Sequence, residues 1–269
     1  MAAPSPTSAR ACELHHELAG PTGAPVVVLG PSLGTDLSIW EPQAKKLADR
    51  FRVLRYDLRG HGSSPVPAGP YSIADLGGDL LALLDRLEIE RAALCGISIG
   101  GMASMWAAAH APARVTGLVV CCSSALLDSE RSYHARAETV LERGIEETAD
   151  AVLARWFTPG FAEANHAVVE RMRRILIATP PQGYAGCCEA LAGLDLRAEL
   201  ALIDAPTLVL SASEDLATPP EHGRLIAERI RTARMEVVPD AAHLANVEQP
   251  ELVGELILGH LDPTEEERE

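Results

Sequence analysis

Gly96-Ile97-Ser98-Ile99-Gly100 lies between an apolar run, Ala92-Ala93-Leu94-Cys95, and a small-residue helical stretch over residues 101–110. Strand, Gly-x-Ser-x-Gly and helix in that order form a nucleophile elbow. The turn is so tight that the residues two before and two after the serine need almost no side chain. It holds the serine hydroxyl exposed on a strained turn, with the N-terminus of the next helix beneath it. Gly and Ser are common, so the pentapeptide arises by chance in roughly one chain in ten of this length. The rest of the chain has to supply the partners.

Outward from the elbow, short apolar runs alternate with helical periodicity. Residues 26–29, 51–56, 92–95, 115–121, 207–210 and 235–238 read as strands. Residues 40–47, 73–87, 101–110 and 219–230 read as helices, and a last helix begins near Glu248. In residues 73–87 the apolar stripe is Ile73, Leu76, Leu80, Leu83, Leu84 and Leu87. Strands alternating with helices imply an α/β fold with a mostly parallel central sheet covered on both faces. Residues 124–200 break the rhythm. They hold no convincing strand, and helical patterns run over 129–142, 145–156, 165–179 and 182–191. The expected organisation is therefore a core over residues 1–123 and 201–261, a helical lid inserted at 124–200, and a frayed acidic tail over 262–269.

Composition excludes several classes. The 269 residues, 47% hydrophobic, carry a net charge of -15. Such a surface repels nucleic acid and anionic membrane. No run approaches the length of a membrane span, and residues 1–7 have neither the basic nor the apolar region of a signal peptide. Six cysteines include the adjacent pairs Cys121-Cys122 and Cys187-Cys188 and no Cys-x-x-Cys. That pattern fits neither a disulfide framework nor a zinc site, and reads as reduced thiols in a cytoplasmic protein with no metal.

A serine hydroxyl attacks only when a base removes its proton. Of nine histidines, His243 follows the last strand and precedes the last helix. Loops at the C-terminal edge of a parallel sheet are where catalytic groups gather, so His243 is the expected base. Asp215, just past strand 207–210, is the expected acid that orients it. Glu214, Asp240 and Asp128 are its rivals, and Ser123 and Ser124 occupy the alternative position after strand 115–121. The oxyanion needs two N–H donors. Ile99 supplies one. Leu33, in the loop Gly30-Pro31-Ser32-Leu33-Gly34, is the candidate for the other, because Pro31 has no N–H; the same loop also reads as a plain strand-to-helix connection. Asp57 and Arg59, in a glycine-rich turn with His61, read as structural, Arg59 bracing nearby loops. Trp106, behind the elbow, reads as core. Trp156 lines a pocket or packs between lid helices.

These residues together resemble the α/β-hydrolase superfamily and, more narrowly, the 3-oxoadipate enol-lactonases of aromatic catabolism. The likeness is carried by Ser32-Leu33-Gly34-Thr35-Asp36-Leu37 followed by Trp40, and by residues 55–64 continuing to Gly69-Pro70-Tyr71. Gly96 to Met102, Asn246-Val247-Glu248-Gln249-Pro250 and, in the lid, Arg155-Trp156-Phe157 and Gly183-Tyr184-Ala185 add to it. The elbow identifies only the superfamily, whereas the Leu33 loop with Gly69-Pro70-Tyr71 points to the enol-lactonases. The resemblance implies an α/β-hydrolase fold with an inserted helical lid, a Ser98–Asp215–His243 triad and Leu33 and Ile99 as oxyanion donors. It implies a small anionic lactone as substrate and no cofactor. Pro31 departs from the asparagine frequent in the family. For the substrate pocket the sequence offers Trp156, Tyr184, Arg131 and Arg136, with Arg155 and Arg173 as further cations against the acidic field. The same triad also suits a general carboxylesterase or, in another class, a ligand-sensing protein of this fold.

Overall fold

A computed structural model of the chain describes residues 11–127 and 130–262. A seven-stranded sheet runs in the order β1-β3-β2-β4-β5-β6-β7. The strands are β1 (His16–Ala19), β2 (Val26–Gly30), β3 (Arg52–Tyr56), β4 (Ala92–Ile97), β5 (Val115–Cys121), β6 (Thr207–Ala212) and β7 (Ala233–Val238). β1 pairs antiparallel with β3, and every other pairing is parallel. All six residues of β4 are buried, which accounts for its unbroken apolar run.

The helices of the core are α1 (Glu41–Leu47), α2 (Ile73–Arg86), α3 (Ile99–His110), α9 (Pro220–Arg229), α10 (Ala245–Glu248) and α11 (Pro250–Leu261). From β2 the chain crosses through α1 to β3 on one side, whereas β4 crosses through α3 to β5 on the other. Right-handed crossovers in opposite directions put α1 and α3 on opposite faces of the sheet. The reversal lies between β2 and β4, which are neighbours in register at Gly30 and Gly96. The loops leaving these two strands therefore stand side by side where ligands collect in such sheets. Ser72 starts α2 through a reciprocal capping box with Asp75.

Between β5 and β6 the described residues form five α-helices: α4 (Glu130–Arg143), α5 (Glu146–Trp156), α6 (Pro159–Ala164), α7 (His166–Ala178) and α8 (Pro181–Ala192). Leu126 and Asp195 form an antiparallel bridge, and Leu196 donates its N–H to the Ala125 carbonyl at 2.7 Å. The two ends of this helical segment are thus tied together.

Several boundaries differ from the sequence reading. β1 was not expected, because its four residues are mostly exposed at the sheet edge and only Leu18 and Ala19 are apolar. Phe51 lies outside β3. The stretch expected as helix from Trp40 is a 3-10 turn over Leu37–Trp40, capped by Asp36, followed by α1. The short α6 was missed. The last helix is two, because Pro250 opens α11 at its first turn and has no N–H with which to continue α10. Ser129, Asp128 and residues 263–269 of the expected tail lie outside the described residues. Among the described residues no helix is long and apolar enough to cross a membrane.

Candidate active site

Ser98 sits between β4 and α3 with φ 55° and ψ -124°. An L-residue in this left-handed conformation costs on the order of 1–3 kcal/mol and persists only where its surroundings enforce it. Here they do: the Ser98 N–H donates to the Cys121 carbonyl at 2.9 Å, and the Ser123 hydroxyl donates to the Ser98 carbonyl at 2.8 Å. A Cβ on Gly96 would stand 2.2 Å from the Gly100 oxygen, and one on Gly100 would stand 2.5 Å from the Gly30 oxygen. Both glycines are therefore required by close backbone approach.

His243 and Asp215 meet at the C-terminal edge. His243 Nδ1 lies 2.8 Å from Asp215 Oδ2, with both side chains buried. Asp215 also accepts the Ala217 N–H at 2.7 Å, the Thr218 N–H at 2.9 Å and the Thr218 hydroxyl at 2.8 Å. Burial alone would raise this carboxyl. The His243 charge and the donors from His243 and Thr218 override it and hold the group at about 2. An ionised carboxylate only accepts, so His243 carries a proton on Nδ1, the tautomer in which Nε2 is the acceptor when the ring is neutral. The rivals Glu214 and Asp240 are exposed.

Ser98 and His243 line one cavity with Ser32, Leu33 and Ala217. Its roof takes one stripe from each of three helices: Tyr133 and Arg136 on α4, Val152, Arg155 and Trp156 on α5, Tyr184 and Leu191 on α8. Spacings of three, four and seven residues place each set on a single helix face. Among the described residues neither the Leu33 nor the Ile99 N–H donates to a protein acceptor. The Tyr184 hydroxyl is buried beside the Arg136 guanidinium, the group in the cavity that interacts with it. Arg136 stacks over the Tyr133 ring at 5.2 Å and forms no ion pair among the described residues.

The model of the alpha/beta hydrolase fold family matches residues 25–250. The chain belongs to the α/β-hydrolase family. This α/β hydrolase is 40% identical over 238 residues to 3-oxoadipate enol-lactonase 2 of Acinetobacter baylyi, an alignment covering 88% of this chain and 89% of that one. The crystal structure of an enol-lactonase from Burkholderia xenovorans matches with TM-score 0.91 and 41% identity, over 93% of this chain and 96% of the other. A malate-bound thermophilic esterase from Thermogutta terrifontis follows at TM-score 0.87 and 31% identity, over 93% of each chain.

Not every candidate of this α/β hydrolase reaches the cavity. Arg131 is exposed and away from it. Arg173 pairs with Asp150 at 3.4 Å and also lies elsewhere. Trp106 is half-buried against the core and stacks on His110, ring centroids 4.1 Å apart. Arg59 grips Asp79 of α2 through two bonds of 2.6 and 2.7 Å. Asp57 accepts the N–H groups of Leu37 and Ser63. Both are structural in this fold.

His61 was passed over as a turn residue. Its Nε2 accepts the Gly34 N–H at 3.0 Å, and its Nδ1 donates to the Arg59 carbonyl at 3.1 Å. A fully buried imidazole thus holds the loop that carries Leu33. Its neighbours in sequence give no sign of this, since the acceptor and the donor are 27 residues apart. Among the described residues no group of three or more His, Cys, Asp or Glu side chains is arranged to hold a metal ion.

Proposed function

We propose that this α/β hydrolase opens 3-oxoadipate enol-lactone to 3-oxoadipate through an acyl-enzyme on Ser98. The observation that carries the chemistry is the buried Asp215–His243 pair in the same cavity as the strained Ser98. Likeness to enol-lactonases at about two-fifths identity supports the substrate.

Ser98 Oγ attacks the lactone carbonyl as its proton passes to His243 Nε2. Charge develops on the carbonyl oxygen between the N–H groups of Leu33 and Ile99. The intermediate collapses by breaking the bond to the ring oxygen, which leaves as an enol after taking the proton from His243. The enol becomes the ketone, which removes the nucleophile that would re-close the ring. Water, deprotonated by His243, then releases the acid from Ser98.

The substrate carries a carboxylate into a protein of net charge -15. Arg136, with no counter-ion among the described residues, and the Tyr184 hydroxyl beside it are the groups we assign to it. In this reading residues 124–200 act as a lid, with Trp156 closing the apolar side of the cavity. Six free, buried thiols support a cytoplasmic setting.

The test is an assay fed with freshly generated enol-lactone. Formation of 3-oxoadipate, abolished by Ser98→Ala in a protein that still folds, is expected. Brisk cleavage of simple esters without lactone opening would instead favour the second reading, a general carboxylesterase, to which the 31% identity with the Thermogutta esterase lends support.

A further inference from the structure

Glu248 ends α10, outside the cavity, yet it is only 8% exposed and forms no ion pair among the described residues. Its Oε1 accepts the Thr158 N–H at 2.7 Å and the Thr158 hydroxyl at 3.0 Å. Its Oε2 accepts the N–H of Ala242, the residue before His243. Beside this bridge the His243 N–H points to the Arg155 carbonyl at 3.4 Å, and the Leu244 N–H donates to the Trp156 carbonyl at 3.0 Å. Residues 242–244 are thus stitched to residues 155–158 of the cavity roof, and Arg155 and Trp156 line the cavity themselves.

A buried carboxylate without a counter-charge is costly, and an apolar side chain would fill the space with less penalty. What a carboxylate adds is direction, because three donors converge on it from two segments. From this we infer that Glu248 is a positioning residue. It locks the His243 loop to the roof of the cavity, so that the base is in register with Ser98 only while residues 155–158 are seated. The inference rests on the reading of Ser98 and His243 as nucleophile and base.

The experiment compares wild type with Glu248→Gln, Glu248→Met and Thr158→Val. Folding is followed by thermal unfolding, turnover with a neutral activated ester, and Ser98 reactivity by the rate of fluorophosphonate labelling. Glu248→Met removes every acceptor. It should lower kcat about tenfold or more, as a misplaced catalytic group does. KM should change by less than about twofold, since ground-state binding is untouched. Labelling should slow in parallel. Glu248→Gln keeps one acceptor oxygen and Thr158→Val removes one donor, so both should give smaller losses of the same kind. These two milder variants decide the matter if Glu248→Met does not fold. Folded variants with wild-type kcat and labelling rate would overturn the positioning role alone. A wild-type protein that is not labelled at Ser98 would overturn the reading of the site and the positioning role with it.

Discussion

His61 exposes its chemistry through pH. Burial pushes its imidazole down from the ordinary 6.5 to about 4. The folded protein therefore keeps it neutral at a pH where the unfolded chain already takes up a proton. Its contribution to stability is complete above 6.5, shrinks as pH falls, and is gone once pH has passed through 4. Two and a half pH units correspond to a loss of about 3 kcal/mol. Urea unfolding between pH 7 and 4 should show this slope in wild type and a flatter one in His61→Phe. The same variant leaves the Gly34 N–H without its acceptor, so kcat should fall as the Leu33 loop loosens. An unchanged slope and unchanged kcat would sink both roles. Asp215 titrates outside this window: its stabilisation is complete above the ordinary 3.8 and fades as pH falls through about 2. At this scale the common position of Ser98, Asp215 and His243 was legible, because each follows a strand and strand ends share one edge. His61 and Glu248 were not. Each acts on a backbone N–H that only the tertiary fold brings near, and the motif containing Glu248 names no partner.

Helical phase decides which roof residues meet a ligand. Arg131 and Arg136 are five positions apart on α4, about 140° around the axis, so a helix that turns one to the cavity turns the other away. Between Arg131 and Arg136 the choice was open in the sequence because the phase of α4 was unanchored. Tyr133, one turn before Arg136 on the same face, supplies that anchor in the structure. If Arg136 holds the substrate carboxylate, Arg136→Met should raise KM for the enol-lactone about tenfold or more, the worth of a charged hydrogen bond. A neutral ester should be cleaved as before, and equal losses on both substrates would point to packing instead of charge. The roof is also pinned from below. A Cβ on Gly183 of α8 would lie 2.1 Å from the Gly60 oxygen and 2.5 Å from its Cα. Backbone cannot swing aside as a side chain can. Gly183→Ala should therefore cost about 1–3 kcal/mol of stability by overpacking, read as a lower midpoint in thermal unfolding, and a wild-type midpoint would mean that α8 docks more loosely than the structure has it. The element missed in the sequence, α6, has six residues, too short for periodicity to register. β1 failed for a different reason, since a four-residue exposed edge strand with two apolar residues carries too little apolar signal.

At the scale of the whole molecule the parallel order was readable from alternation alone, because buried strands must be apolar and crossovers must be helical. The net charge was equally readable, and it sets a conflict that pairwise contacts do not resolve. A surface of net charge -15 repels an anionic substrate at long range, while a guanidinium in the roof attracts it at contact. Salt separates the two. At about 0.15 M the screening length is about 8 Å, short against the size of the protein but long against a hydrogen bond in a half-buried cavity. Raising sodium chloride from low ionic strength to that level should therefore remove most of the repulsion and little of the attraction. For the anionic lactone kcat/KM should rise, with the gain in capture of substrate and kcat unchanged. A neutral ester should show no trend over the same range, which controls for any effect of salt on the fold. In Arg136→Met the rise with salt should persist from a lower starting value, since the distant field is intact and only the contact is lost. A fall in kcat/KM with salt for the lactone would mean that the arginines at the cavity govern the approach as well as the seat, and that the field at its mouth is positive despite the total charge.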